Sequence, residues 1–365
     1  MRVLVVAGSF PPEPCGVGDY TRLLAEALAA QPDTEVAVLT RGQPDAIAGQ
    51  ALHLLPPVSA WRFAELPAIV RRARQWRPDI THIQYPTSGF VAHRRFPLLL
   101  PLLLRLAGLR VVVTWHEPPP PPWLDPTAPF LTPLLGACGL IFVRPNYLDY
   151  FGPRIRRLVE RVPLATIPNA ANLPVSLLSE PQRVQLRTQL VGGQQRLVVF
   201  FGFISRHKGV AHLFEIADPQ TDHLVIAGNS HDDGYLRELH ALADSPRWQG
   251  RVSFRGFSPP AQAADLLLAA DAVVLPFTEG GGNWNTSIHS AQAQGSFVLT
   301  TGRSARGDDP DQNLFVAAPE DIAGMRKALK DLAGRRVARA DGAAPWERIA
   351  RAHLDHYARC LARSV

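Results

Sequence analysis

Between Leu275 and Thr301 the sequence LPFTEGGGNWNTSIHSAQAQGSFVLTT sets one carboxylate, Glu279, before three glycines, with Asn285, Thr286 and Ser287 behind them. Gly280, Gly281 and Gly282 let backbone approach a ligand where a Cβ would block it. Asn285, Thr286 and Ser287 fall where a helix begins, and the first N–H groups of a helix lack internal partners and carry partial positive charge. Phosphate is the natural guest of such a start. The same residue types also cap ordinary helices, so on this stretch alone both readings stand. A second group of cations, Ser205-Arg206-His207-Lys208-Gly209, follows the apolar run Leu197–Ile204. Two cations on a strand-to-helix turn suit a leaving diphosphate; the alternative is a solvated helix start. Gly16-Val17-Gly18 lies in a glycine-bearing loop, 8–20, between the first strand and the first helix. It points to a phosphate or sugar contact, or to a tight turn, but G-x-G-x-x-G is incomplete and a dehydrogenase is poorly supported. His116 and Glu117 follow the strand Arg110–Trp115 directly. A histidine there is either a hydrogen-bonded structural residue or a group beside a substrate.

Spaced as they are, Glu279, the small-residue loop, Thr286-Ser287 and the run Ala291-x-Ala293-x-Gly295-x-x-Val298 resemble the nucleotide-sugar loop of the retaining GT-B glycosyltransferases. This is the large glycogen-synthase and mannosyltransferase-like family, of the family 4 type, and the resemblance extends over nearly the whole chain. It implies an α/β fold of two Rossmann-like domains with parallel sheets facing a deep cleft. It further implies transfer of a sugar from a nucleoside-diphosphate sugar to a saccharide or lipid-linked saccharide, with retention, in cell-envelope polysaccharide or glycoconjugate synthesis. Carried over residue by residue, His116 and Glu279 are the catalytic candidates, and Lys208, Thr286 and Ser287 bind the diphosphate, with Arg206 standing in from within the turn for an arginine of the family. Gly16, Val17, Gly18, Gly280, Gly281, Asn285 and Ser290 line the donor loops. Two positions depart from the family: Ser290 replaces a glutamate that holds the donor ribose, and Phe203 occupies the place of an arginine. They support a rival reading, a catalytically weak binding subunit, and a nucleotide-sugar epimerase is a third. No cofactor is expected beyond the nucleotide sugar as substrate, and no Asp-x-Asp motif calls for a metal.

A chain of 365 residues suits two domains, with 46% apolar and 19% charged residues as in a globular protein. Its net charge of +6 suggests attraction to phosphate or an anionic membrane surface. No zinc spacing or aromatic-interleaved basic motif supports nucleic acid as a partner. Cys15, Cys138 and Cys360 are far apart in sequence, which reads as a reduced, cytoplasmic protein. The apolar N-terminus meets Pro11-Pro12 too soon for a signal peptide and reads as a strand. The segment Phe96–Val113 is broken by Pro97, Pro101, Arg105 and Arg110 and does not make a membrane span. With its flanking arginines, the stretch His93–Arg110 either rests on anionic lipid at the inner face of the membrane or packs as an internal helix. Strands and helices alternate through both halves, as in doubly wound domains. The expected domains are 1–175, on the acceptor side, and 176–345, which binds the nucleotide sugar. An amphipathic helix at 346–365 crosses back to the first. The proline run Pro118–Pro122 reads as a stiff rim.

Overall fold

The computed structural model describes residues 1–13, 15–42, 51–86, 89–90, 95–116, 136–191, 195–340 and 343–363. Glu117 and Pro118–Pro122 lie outside the described residues. The chain divides into two compact units, Met1–Asn169 with Ala343–Val365, and Ala170–Gly342.

In the first unit seven strands form one sheet: β1 (Arg2–Ala7), β2 (Glu35–Leu39), β3 (Leu52–Leu54), β4 (Ile80–Tyr85), β5 (Val111–Trp115), β6 (Gly139–Phe142) and β7 (Leu164–Thr166). Their order is β3-β2-β1-β4-β5-β6-β7, parallel throughout. Runs such as RVLVVA and VVVTW carry apolar residues at successive positions because both faces of a parallel sheet are covered. Helices α1 (Gly16–Ala29), α2 (Leu66–Trp76), α3 (Arg95–Leu106) and α4 (Pro153–Val159) belong to this unit.

The second unit opens with α5 (Glu180–Val191) and repeats the plan with β8 (Arg196–Phe201), β9 (Asp222–Ala227), β10 (Val252–Arg255), β11 (Ala272–Leu275), β12 (Val298–Thr301), β13 (Gly307–Asp309) and β14 (Leu314–Ala317). The order is β10-β9-β8-β11-β12-β14-β13; only the hairpin of β13 with β14 is antiparallel. Its helices continue as α6 (Leu213–Ile216), α7 (Asp233–Ala243), α8 (Pro260–Ala269), α9 (Thr286–Ala293) and α10 (Ile322–Leu332). The final helix, α11 (Ala344–Ala362), returns to the first unit and packs on α1 and β6.

Three details differ from the sequence reading. The glycine loop is shorter than expected. Cys15 sits extended at φ −159° and ψ 119°, and its carbonyl takes the Asp19 N–H at 2.9 Å, so Gly16, Val17 and Gly18 form the first turn of α1. The units divide after Asn169, short of residue 175, because the intervening segment is tied to the second unit. There the Ser176 N–H donates to Gln294 Oε1 at 2.9 Å, and Gln294 Nε2 donates to the Pro174 carbonyl at 2.9 Å. Elements β13, β14 and α10 carry no mark in the reading above. Asp321, which caps α10 by accepting the Gly324 N–H at 2.9 Å, was the signal to be read there. No helix among the described residues is long and apolar enough to cross a membrane.

Candidate functional site

In each sheet the strand order reverses at one point, between β1 and β4 and again between β8 and β11. Open α/β sheets bind ligands beyond the carboxyl ends of the strands at such a point. In the second unit the two loops that leave this point are Gly202–Gly209 and Pro276–Asn285, which hold the cations and the glycine run. They are fastened to each other. The Thr278 N–H and its hydroxyl both donate to the His207 carbonyl, at 3.1 and 3.2 Å. Gly209, at φ +66°, lies so close that a Cβ there would meet the Pro276 oxygen at 1.9 Å. Lys208 Nζ rests 4.8 Å from the centroid of Phe277, at the foot of the second loop.

Arg206 has a different fate. Its guanidinium donates to both Glu238 oxygens, at 2.9 and 2.6 Å, with Asp232 at 3.7 Å and the Tyr235 ring beneath it at 4.8 Å. Glu238 holds it well protonated, and in return the arginine depresses the Glu238 carboxyl below its usual range. Phe203, 41% exposed, stacks on the His231 ring at 5.5 Å and 24°.

The glycine run is shaped by close approach to its own chain. Gly280 has φ +80°, and a Cβ would strike the Arg303 nitrogen at 2.6 Å. Gly281 donates its N–H to the Thr301 carbonyl at 2.6 Å. Glu279 is exposed at the tip and opposes the lowering of the His207 pKa, which comes mainly from burial and then from Lys208. Asn285 stands at the N-cap of α9, but its amide oxygen accepts the Gly282 N–H at 2.9 Å and makes no cap bond to the helix. The first turn of α9, Thr286 and Ser287, therefore has no side chain of Asn285 across it. Ser290 is fully buried. Its hydroxyl donates to Asn172 Oδ1 at 3.0 Å and accepts the Asn172 N–H at 3.3 Å, so it holds the entry segment of the unit.

In the first unit His116 follows β5, one strand from the reversal. Its N–H donates to the Tyr85 carbonyl at 2.9 Å, its carbonyl accepts from the Tyr147 hydroxyl at 2.8 Å, and its Nε2 lies 2.7 Å from Gln84 Oε1. The Tyr20 ring meets it edge-on at 4.8 Å. Burial, with His353 adding to it, pushes the imidazole pKa down to about 3, so at neutral pH the ring is uncharged and can accept or donate one hydrogen bond. On the first turn of α1, Gly16 is exposed, with nothing within 4 Å of a Cβ placed on it, and Val17 is half-buried; Gly18 is buried against the Ser9 carbonyl. Sequence reasoning missed Gln84, His82 and Tyr357, which stand behind His116. The alternation His82-x-Gln84 on β4 was the available signal.

Residues 14–173 match the model of the family described as Glycosyltransferase Family 4. No curated protein matches the chain in sequence. Solved structures are similar along its whole length. Sucrose-phosphate synthase from Thermosynechococcus elongatus is 21% identical with a TM-score of 0.70, covering 100% of both chains. Anabaena HepE in complex with UDP and glucose is 16% identical at a TM-score of 0.66, over 96% of this chain and 94% of its own. The catalytic domain of Arabidopsis thaliana starch synthase IV, bound to ADP and acarbose, is 15% identical at 0.70, over 99% of each. The two doubly wound sheets thus have the fold of the GT-B glycosyltransferases.

Proposed function

We propose that this chain is a glycosyltransferase that moves a sugar from a nucleoside-diphosphate sugar to a saccharide or lipid-linked saccharide. The transfer proceeds with retention and without a metal, in the synthesis of a cell-envelope polysaccharide or glycoconjugate. The observation that carries this reading is the fastening of the Lys208 turn to the loop that leads into α9, at the strand reversal of the second sheet. When the anomeric C–O bond breaks, its electron pair goes to the diphosphate, and the growing negative charge meets Lys208 and the first turn of α9 at Thr286 and Ser287. Glu279 orients the sugar in this reading. His116, neutral at pH 7, serves as a hydrogen-bond partner for a sugar hydroxyl. The UDP and glucose bound by HepE and the ADP bound by the starch synthase are ligands of the proposed class.

The acceptor is assigned to the first unit. All its cations are arginines, and the positive balance of the chain resides there, since the second unit has slightly more acids than bases. Such a surface suits an anionic, lipid-linked acceptor at the inner face of the cytoplasmic membrane.

Calorimetric titration with UDP, GDP, ADP and TDP tests the donor site. One nucleoside diphosphate should bind, and Lys208→Ala should weaken it by about 10- to 100-fold, the loss of one charge-assisted contact. Absence of binding by all four would overturn the assignment. A second reading, a binding subunit with little turnover, draws on the commitment of Arg206 to Glu238 and the burial of Ser290 on Asn172. Turnover of any nucleotide sugar by the purified chain would exclude it.

A further inference from the structure

Strand register places four polar residues on one face of the first sheet. His82 and Gln84 are two apart on β4, Gln84 pairs with Thr114 on β5, and His116 follows Thr114 by two. They are linked. Gln84 Oε1 lies 2.7 Å from His116 Nε2, and Gln84 Nε2 lies 3.3 and 3.4 Å from the ring nitrogens of His82. His82 in turn meets the Thr114 hydroxyl at 2.7 Å and the Tyr357 hydroxyl at 2.6 Å. Tyr357 belongs to α11, as does His353, whose Nδ1 donates to the Ile349 carbonyl at 2.7 Å and whose Nε2 faces the Tyr20 hydroxyl at 3.4 Å. Tyr20 is the ring that meets His116 edge-on. Thus His116 is backed on one side by Gln84 and His82 and on the other by Tyr20, and α11 stands behind both. Gln84, His82, His353 and Tyr357 are all buried.

We propose that Gln84 is a positioning residue that fixes the tautomer and orientation of His116, and that α11 holds Gln84 in place through Tyr357 and His82. This rests on the reading of His116 as the group beside the transferring sugar. A carboxamide oxygen only accepts, so the His116 proton resides on Nε2 and the lone pair on Nδ1, which is the edge left for a substrate hydroxyl. An amide also does this without titrating. A carboxylate in its place would draw a second proton onto the ring and convert the acceptor into a cation.

Two readouts test the proposal, one of them independent of turnover. In protein labelled with ¹⁵N at its imidazoles, the His116 resonances are identified by their loss in His116→Asn. They should report the Nε2–H tautomer in the unmodified chain, a mixture of tautomers in Gln84→Met, and a doubly protonated ring near neutral pH in Gln84→Glu. Tyr357→Phe should shift the same resonances through His82, which both Tyr357 and Gln84 meet. Retention of the Nε2–H tautomer in both Gln84 variants would overturn the proposal. The second readout is turnover of the UDP-, GDP-, ADP- and TDP-glucose panel. Gln84→Met should lower kcat about 10- to 100-fold, the usual loss when a partner behind a functional histidine is removed, with KM for the donor nearly unchanged. Equal kcat in Gln84→Met and the unmodified chain would also overturn it. If the unmodified chain turns over no member of the panel, the transferase reading loses support while the resonance measurement still decides the role of Gln84.

Discussion

Lys208 and Arg206 are two residues apart on one turn, yet the fold gives them different work. Lys208 leans on Phe277 beside the glycine loop, whereas Arg206 closes a bidentate pair with Glu238 on α7. A cation already balanced by two carboxylates adds little field at a neighbouring phosphate, and salt screens the remainder. Arg206→Ala is therefore expected to change nucleoside-diphosphate affinity by less than about threefold, in contrast to Lys208→Ala in the same titration. An equal loss in the two variants would show that Arg206 leaves Glu238 to bind the ligand. The sequence marks Lys208 and His116 as candidates because an apolar strand precedes each, directly for His116 and by one loop for Lys208, and strand ends are where open sheets put their chemistry. The partner of Arg206 was not legible, because Glu238 lies 32 positions on, in α7, and no local pattern ties the two. The tie of the Ser290 hydroxyl to Asn172, over a hundred positions earlier, was not legible for the same reason.

At the scale of elements, the strands were readable wherever doubly buried runs of apolar residues made them long. The three-residue β13, with its polar GDD sequence, carries no such run, and β14 offers only the four apolar residues LFVA. The start of α1 was misplaced because its first turn is built from Gly16 and Gly18, residues that ordinarily mark a loop. Least visible of all was the meeting of α11 with β6. Cys360 in the last turn of α11 lies against the start of that strand, where a Cβ on Gly139 would meet its Sγ at 2.2 Å. The pKa of the neighbouring Cys138 thiol is pushed down chiefly by Cys360, with Arg105 and Arg110 assisting, while that of Cys360 is pushed up. Diamide should accept two electrons and two protons from the pair and leave a disulfide between the helix and the strand. The cross-linked chain should melt at a higher temperature, by at most the ~5 kcal/mol that so long a closed loop contributes. Mass spectrometry of the diamide-treated native chain checks this, and peptides that retain both free thiols would refute the contact.

For the molecule as a whole, the consequence of so many buried imidazoles is sensitivity to acid. Burial holds His353 and His356 down to about 4 and His116 to about 3, and His82 lies well below its usual value. All are depressed, so between the unfolded value near 6.5 and the folded values the unfolded chain binds more protons, and stability falls as pH falls. The loss begins below about pH 6.5 and at pH 5 reaches roughly 2 kcal/mol for each fully buried ring. Urea midpoints at pH 7.5 and pH 5 should differ accordingly; equal midpoints would mean that these rings take up protons in place. The plan of two parallel sheets was plain in the rhythm of strands and helices. That the first unit is completed by residues from both sides of the second is a feature that matters before the protein ever meets a ligand. On a ribosome adding ~5–20 residues per second, roughly nine to thirty-six seconds of synthesis separate β7 from α11. That interval is the synthesis of the second unit itself, and through it the first waits with Tyr20 and His82 without their partners on α11, a nascent surface open to chaperones. The half begun first is thereby the half completed last.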